Sequence, residues 1–134
     1  MFATRSRVAG GLLAVGTAGT VLVPLAAPAQ AAETHLAAGM TRTAAFPHAR
    51  GHADYEAEHG LQHFDVELHG VGRLHGKLLT VRVHGTFVGR MRVSAEGEAR
   101  LERSSGLPRM SAGDAVRVRT HGGQLVSRGT LHFI

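Results

Sequence analysis

The sequence predicts an all-β protein whose fold is an antiparallel β-sandwich of six or seven strands, with a small barrel as the alternative. Apolar and polar residues alternate with a period of two through most of residues 61–134, which is typical of half-buried strands. Glycine-containing turn signals separate the alternating runs at roughly ten-residue intervals, and no helical pattern interrupts them. The 134 residues include no cysteine, so packing and strand pairing have to supply the stability that disulfides give many small exported domains.

Each alternating run predicts which side chains face the core. The dipeptides His84-Gly85 and Glu96-Gly97 separate runs and suit tight hairpins, because glycine readily adopts a positive φ. The last run places Leu125, Ser127, Gly129, Leu131 and Phe133 on one inward row. The predicted core consists of the following residues: Phe64, Val66, Leu79, Val81, Val83, Phe87, Met91, Val93, Leu101, Val116, Val118 and Leu131.

The strand and turn signals occur in a recognisable order. They are Leu74-His75-Gly76-Lys77, Val81-Arg82-Val83-His84-Gly85, Val88-Gly89-Arg90-Met91-Arg92-Val93, Gly97-Glu98-Ala99-Arg100-Leu101, Gly113-Asp114-Ala115-Val116-Arg117-Val118 and Leu125-Val126-Ser127-Arg128-Gly129. In this order the sequence resembles a type of small secreted β-domain common in actinobacteria. The resemblance implies a sandwich of immunoglobulin-like or prealbumin-like type, and it implies no catalytic residue.

Residues 1–31 are predicted to be a secretory signal peptide. Arg5 and Arg7 precede an uncharged run over 8–29, and Ala29-Gln30-Ala31 supplies a small-residue cleavage site. The alternative is a retained membrane anchor, which the glycines and Pro24 within the run disfavour. We therefore expect a secreted, extracellular protein that starts at Ala32 and has no membrane contact after cleavage.

Charge is distributed unevenly after this segment. Residues 32–69 contain six acidic and two basic residues, whereas residues 70–134 contain four acidic and eleven basic residues. Residues 32–60 show no sustained apolar period and are interrupted by Gly39, Pro47, Gly51 and Gly60. We interpret residues 32–60 as a flexible, acidic, histidine-rich arm, followed by the sandwich domain over 61–134.

The arm contains a candidate metal site. His48 and His52, and again His59 and His63, are four residues apart, and three carboxylates lie between the two pairs. Imidazole and carboxylate suit Zn²⁺, Cu²⁺ or Ni²⁺. The alternative is a solvated polar linker with no bound metal, and we expect no other cofactor.

The second candidate site is a basic patch on the outward side of the predicted strands, formed by Arg82, His84, Arg90, Arg92, Arg117 and Arg119. Such a patch attracts anionic polymers of the cell wall or the extracellular space. Specific nucleic-acid binding is disfavoured because the chain has no tryptophan and few other aromatic residues for base stacking. The alternative is a solubilising surface that protects strand edges.

Catalytic signals are weak in this sequence. It has no cysteine nucleophile, no G-x-S-x-G turn and no H-E-x-x-H motif. Ser104 and Ser105 could be combined with His121 and Asp114 into a triad only by assuming their proximity. We expect a secreted, non-catalytic binding or structural module, with a metal-binding protein as the alternative and the oligomeric state left open.

Overall fold

The computed structural model describes residues 33–134, and the predicted signal peptide lies outside this range. The described residues form nine strands and one short 3-10 helix at Gly72–Leu74. No helix in this part of the chain is long and apolar enough to cross a membrane. The strands are β1 (Thr34–Met40), β2 (Arg50–Glu58), β3 (Leu61–His69), β4 (Leu78–Val83), β5 (Thr86–Arg92), β6 (Ala99–Arg103), β7 (Ala115–Thr120), β8 (Leu125–Thr130) and β9 (His132–Phe133).

The strands form two antiparallel sheets around one core. The five-stranded sheet has the order β9-β1-β2-β3-β6, and the four-stranded sheet has the order β5-β4-β7-β8. The largest buried side chains come from both sheets and include Leu36, Tyr55, Phe64, Leu79 and Leu131. The predicted antiparallel β-sandwich is confirmed, with more strands than the six or seven expected.

The additional strands come mainly from the segment that we interpreted as a flexible arm. Residues 34–58 contain β1 and β2, and β2 pairs with β3 along its entire length. Leu36 and Tyr55 from this segment are fully buried. The expectation of a flexible arm is therefore corrected, and residues 34–58 belong to the sandwich. The inward rows were hard to recognise because many of their members are small, such as Ala38, Gly51 and Ala53.

Two hairpins turn at the same dipeptide. His84-Gly85 joins β4 to β5 with φ values of 51° and 81°, which confirms the predicted hairpin. His59-Gly60 joins β2 to β3 with φ values of 55° and 80°. Two successive positive φ values are the mark of a type I′ turn, whose twist matches that of the flanking strands. Histidine is one of the few non-glycine residues enriched at positive φ.

Most of the predicted core is buried, and the exceptions have a physical cause. The β4–β5 register shifts so that Arg82 pairs with Phe87 while Val81 pairs with Gly89. This bulge leaves Val88 unpaired and turns it inward, whereas Phe87 remains 41% exposed. Leu101 is only partly buried. A second shift opposite Val118 buries Val126, and Phe133 at the chain end is exposed.

The two sheets meet at the corner formed by β1 and β8. The Thr41 amide donates to the Arg128 carbonyl at 2.9 Å, and the Ser127 hydroxyl donates to the Thr41 carbonyl at 2.6 Å. A Cβ at Gly129 would collide with the Gly39 carbonyl and crowd the side chains of Met40 and Ala38. Small residues at this corner therefore allow the close approach of the two sheets.

Candidate functional site

The outer face of the four-stranded sheet is strongly basic. Its four strands contain no aspartate or glutamate. They contain six arginines, all on outward positions, and we call this surface the arginine face: Arg82, Arg90, Arg92, Arg117, Arg119 and Arg128.

Strand pairing arranges these arginines in rows across the sheet. Arg82 lies opposite Arg117, and Arg117 lies opposite Arg128. Neighbouring strands are about 4.8 Å apart, so the row brings three guanidinium-bearing residues side by side. The row continues to Phe87 on β5, whose ring centroid lies 5.8 Å from the Arg82 guanidinium and 5.3 Å from that of Arg90. Phe87 thus adds an apolar ring with two cation–π contacts to the arginine face.

The charges of the arginine face are not neutralised within the sandwich. Over residues 33–134, the arginine–carboxylate ion pairs both involve Arg100, which belongs to the other sheet. Backbone carbonyls fix some of the guanidinium groups: Arg92 donates to Gly76 at 2.7 Å, and Arg119 donates to Gly123 at 3.1 Å. The remaining N–H donors of these groups are available to an external anion.

The structure places five of the six predicted patch residues on the arginine face. The exception is His84, which lies in the β4–β5 turn, with its Nδ1 3.5 Å from an Asp114 carboxylate oxygen. Sequence reasoning omitted Arg128 from the patch. The sequence does indicate that Arg128 points outward, because it lies between Ser127 and Gly129 of the predicted inward row.

The outer face of the five-stranded sheet has the opposite character. Its strands carry six outward carboxylates and only two outward arginines, with five outward histidines between them. We call this surface the histidine–carboxylate face, and its charged and titratable residues are Asp54, Glu56, Glu58, Asp65, Glu67, Glu102, Arg50, Arg100, His35, His52, His63, His69 and His132.

Histidines and carboxylates are neighbours on this face. The Nε2 atom of His52 lies 3.6 Å from an Asp54 oxygen and 3.7 Å from a Glu67 oxygen. His69 lies 3.9 Å from the same Glu67 oxygen and 3.4 Å from an oxygen of Glu98, which precedes β6. These distances bring each imidazole into the field of two carboxylates, and protonation would convert the contacts into ion pairs.

Among residues 33–134, Arg100 forms the arginine–carboxylate ion pairs of the histidine–carboxylate face. Its guanidinium donates two hydrogen bonds to the Asp65 carboxylate, at 3.2 and 3.1 Å, and lies 3.6 Å from Glu102. The hydrogen bond and the negative charge of Asp65 raise the pKa of Arg100. This fork-to-carboxylate geometry is the favoured arrangement of an arginine ion pair.

The four histidines of the predicted metal site do not come together. His48 lies in the β1–β2 connection, His52 in β2, His59 in the β2–β3 turn and His63 in β3. His63 lies opposite Glu56, which is four residues from His52 along β2, a separation of about 13 Å. Across residues 33–134, no three histidine or carboxylate side chains are grouped closely enough to hold a metal ion.

The serines considered for a triad have other neighbours. The hydroxyl of Ser104 lies 3.2 Å from Nδ1 of His63, whose Nε2 lies 3.6 Å from a Glu102 oxygen. The histidine–glutamate distance exceeds that of a hydrogen bond, and all three residues lie at the surface. Asp114, in turn, contacts His84. Ser104, His63 and Glu102 are thus neighbours on the surface, whereas Asp114 and His121 do not join them.

No protein-family model matches the chain, and no curated protein matches it. The chemistry of the two sheet faces is thus the basis for assigning a function.

Proposed function

We propose that the protein is a secreted, non-catalytic binding module of the cell envelope or extracellular space whose arginine face binds an anionic polymer. The sandwich would be of immunoglobulin-like or prealbumin-like type, and the predicted signal peptide supports its export. The single observation that supports the binding function most strongly is the composition of the arginine face. Six outward arginines on four adjacent strands have no carboxylate among them.

Arginine suits this role by its chemistry. Its planar guanidinium presents a fork of donors that matches carboxylate, sulfate and phosphate groups. The row of Arg82, Arg117 and Arg128 runs across the sheet, and repeated anionic groups along one polymer chain can engage several members of such a row at once. Multiple weak contacts on one chain add up through their high effective concentration.

The shape of the surface favours a polymer over a small molecule. Small-molecule sites are concave and bury most of their ligand, whereas the arginine face is the outer surface of a sheet with side chains standing out from it. Arg117 and Arg128 do line a shallow hollow beside Gly39 and Thr41, at the corner where the sheets meet. We expect the polymer to cross the arginine face and to settle one anionic group in this hollow.

Binding titrations with polymers of different charge test the proposal. The chain from Ala32 onward would be titrated calorimetrically with a sulfated polysaccharide, a carboxylated polysaccharide, polyphosphate and neutral dextran at low ionic strength. We expect binding to the anionic polymers but not to dextran, with an affinity that falls as salt rises because the contacts are electrostatic. The rank order of the three anionic polymers identifies the preferred chemical group.

A matched pair of variants locates the binding surface. Arg82→Gln with Arg117→Gln removes two charges from the central row, and we expect the affinity to fall roughly tenfold, equivalent to about 1.4 kcal/mol. Arg42→Gln with Arg109→Gln removes the same charge from exposed positions outside the strands and should leave most of the affinity intact. Equal losses in the two variants would show a diffuse effect of net charge and would contradict a specific role for the arginine face.

A further inference from the structure

The two charged faces cannot neutralise each other within one molecule. They are the outer surfaces of the two layers of a sandwich, so the core lies between them and they point in opposite directions. The acidic excess of residues 32–69 lies mainly on the outer face of the five-stranded sheet, and the basic excess of residues 70–134 lies mainly on the outer face of the four-stranded sheet. Over the whole chain the imbalance is modest, with 15 basic and 10 acidic residues. A low net charge gives little overall repulsion between copies.

We propose that the arginine face of one copy docks on the histidine–carboxylate face of a second copy. A second copy is the partner we infer, because the charges of the two faces are complementary: the six arginines of one face would lie against the six strand carboxylates of the other. Of these carboxylates, only Asp65 and Glu102 have an arginine partner within the described chain. The others contact histidine or no cation at all, so they are free to accept from the guanidinium groups of a neighbour.

The two faces also share the same spacing. Each is the outer side of an antiparallel sheet, with charged positions about 4.8 Å apart across the strands and nearly 7 Å apart along them. On the arginine face Arg82, Arg117 and Arg128 form one row. On the other face Asp54, Asp65 and Glu102 form a corresponding row, in which Asp65 and Glu102 already contact Arg100 and Asp54 has no arginine partner among residues 33–134. Equal pitch allows one arginine of the neighbour to pair with Asp54 while the next ones share Asp65 and Glu102 with Arg100.

The size of the faces sets the strength of the contact. A sheet of four strands with six residues each covers an area of about 20 Å by 20 Å, or roughly 400 Å² per copy. The total buried area would be about 800 Å², below the size of standard stable interfaces and typical of weak, transient ones. We therefore expect association at high protein concentration and low salt, and dissociation on dilution.

The contact has a defined symmetry. Because two different faces meet, it is heterologous, and a docked pair still exposes one arginine face and one histidine–carboxylate face. Such contacts continue into open stacks unless they close into a ring. This inference goes beyond binding of an external polymer, although it uses the same arginine face. An anionic polymer that occupies this face would compete with the second copy.

Histidine protonation should weaken the stack. Protonation of the five outward histidines, together with Arg50 and Arg100, would balance the six strand carboxylates of their face. Three of these histidines each lie near two carboxylates: His52 near Asp54 and Glu67, His63 near Glu56 and Glu102, and His69 near Glu67 and Glu98. Arg50 lies opposite His69 on the neighbouring strand. His35 lies opposite Glu56, and His132 lies opposite Ala37. The protonated face would therefore lose the net negative charge that attracts arginine.

Sedimentation analysis of the chain from Ala32 onward tests the proposal. We expect the weight-average mass at about pH 7.5 and low salt to rise continuously with concentration up to about 1 mM, as open assembly requires. The mass should return to that of the monomer at about pH 5 or when about 0.5 M salt screens the charges. A monomer under all conditions would overturn the proposal, as would a dimer that is insensitive to salt.

A pair of complementary variants shows which surfaces meet. Asp54→Asn with Glu56→Gln weakens the histidine–carboxylate face, and Arg82→Gln with Arg117→Gln weakens the arginine face. Each variant alone should be largely monomeric. A mixture of the two should form a 1:1 complex, because one partner retains an intact arginine face and the other retains an intact histidine–carboxylate face. A mixture that remains monomeric while the unmodified chain assembles would overturn the assignment of these faces.

Two controls separate the possible failures. The exposed substitutions should leave the thermal midpoint of each variant close to that of the unmodified chain, and the mixing test is read only between folded variants. The Asp54→Asn, Glu56→Gln variant should still bind anionic polymer. An unmodified chain that binds polymer but stays monomeric would overturn the stacking proposal alone, whereas an unmodified chain that assembles without binding polymer would overturn the proposed function alone.

Discussion

The two sheets of the sandwich share one core but have opposite chemistry on their outer faces. The four-stranded sheet has six outward arginines and no carboxylate, whereas the five-stranded sheet alternates carboxylates with histidines. On their inner faces the sheets are alike, because valine and leucine are fully buried in both, as Val66 and Leu68 are in one sheet and Val81 and Leu79 in the other. The inner rows hold the sheets together, and the outer rows are free to differ because packing does not depend on them.

The largest expected loss of stability comes from placing a charged residue at a position on the inner face of either sheet. Val81→Asp in the four-stranded sheet and Val66→Asp in the five-stranded sheet would each bury an unpaired carboxylate at a fully buried position. We expect each to cost several kcal/mol, a large part of a typical stability of about 5–15 kcal/mol. Urea denaturation of both variants measures the free energy of unfolding.

Each sheet supplies a control one residue away. In β3, the native Asp65 already places a carboxylate on the outer face beside Val66. In β4, Thr80→Asp would place one between Arg90 and Arg119 and should not destabilise the fold. Val81→Asp with an unchanged denaturation midpoint would show that the strand register of β4 is wrong.

The inner rows of the second half of the chain were largely predictable from sequence, since large apolar residues such as Val81 and Val118 make the period of two obvious. Two features were not predictable. The inward rows of β1 and β2 include Ala38, Gly51 and Ala53, which carry little hydrophobic signal. At Gly51 a side chain is excluded because its Cβ would collide with the Glu67 carbonyl. The bulge at Val88 shifts the alternation by one residue, and period-two reasoning has no means of placing such a shift.

The candidate site was predictable to a similar extent. The arginine face follows from outward positions of recognised strands. The histidine–carboxylate face does not, because its members lie on β1, β2, β3, β6 and β9 and become neighbours only through strand pairing. The dipeptide His59-Gly60, identical to the turn at His84-Gly85, was the available sign that β2 and β3 form a hairpin.

An intermediate effect is expected at the corner where the two sheets touch. Gly129→Ala would place a Cβ against the Gly39 carbonyl and force β1 and β8 apart, at a cost of about 1–3 kcal/mol. Gly39→Ala is the matched control, because no atom lies within 4 Å of a Cβ built there. That change should be neutral or stabilise by about 0.5 kcal/mol, since alanine restricts the unfolded chain.

Thermal denaturation of the two alanine variants side by side measures the difference. A midpoint for Gly129→Ala at or above that of Gly39→Ala would show that the sheets are not in close contact at this corner.

The smallest expected effect compares one arginine from each face. Arg117 lies between Arg82 and Arg128 in neighbouring strands, and like charges directly opposite one another destabilise a sheet. Arg117→Thr should therefore raise the stability by about 0.2–1 kcal/mol at low salt, because it removes this repulsion and introduces a good strand former. The gain should shrink in about 0.15 M salt, where charges are screened over about 8 Å.

Arg100→Gln should act in the opposite direction, because it removes the two hydrogen bonds to Asp65. The raised pKa of Arg100 means that its contribution is present at neutral pH and is lost only as the pH rises into the strongly alkaline range. We expect a small fall in the thermal midpoint at neutral pH. If Arg117→Thr and Arg100→Gln changed the thermal midpoint by the same amount in the same direction, the predicted difference between a repelled arginine and a paired arginine would be wrong.

The pairing of the first described strand with the last residues of the chain has a consequence for the kinetics of folding. Thr41 bonds to Arg128, Thr43 bonds to Leu125 and Val126, and β1 pairs with β9 at the chain end. These contacts close loops of more than 80 residues, and chains dominated by such distant contacts fold in milliseconds to seconds rather than in microseconds. A nascent chain from which residues 125–134 have not yet emerged leaves one edge of β1 unpaired. The sandwich is therefore completed only when β1 meets β8 and β9, and until then β1 has an open edge that other chains can pair with.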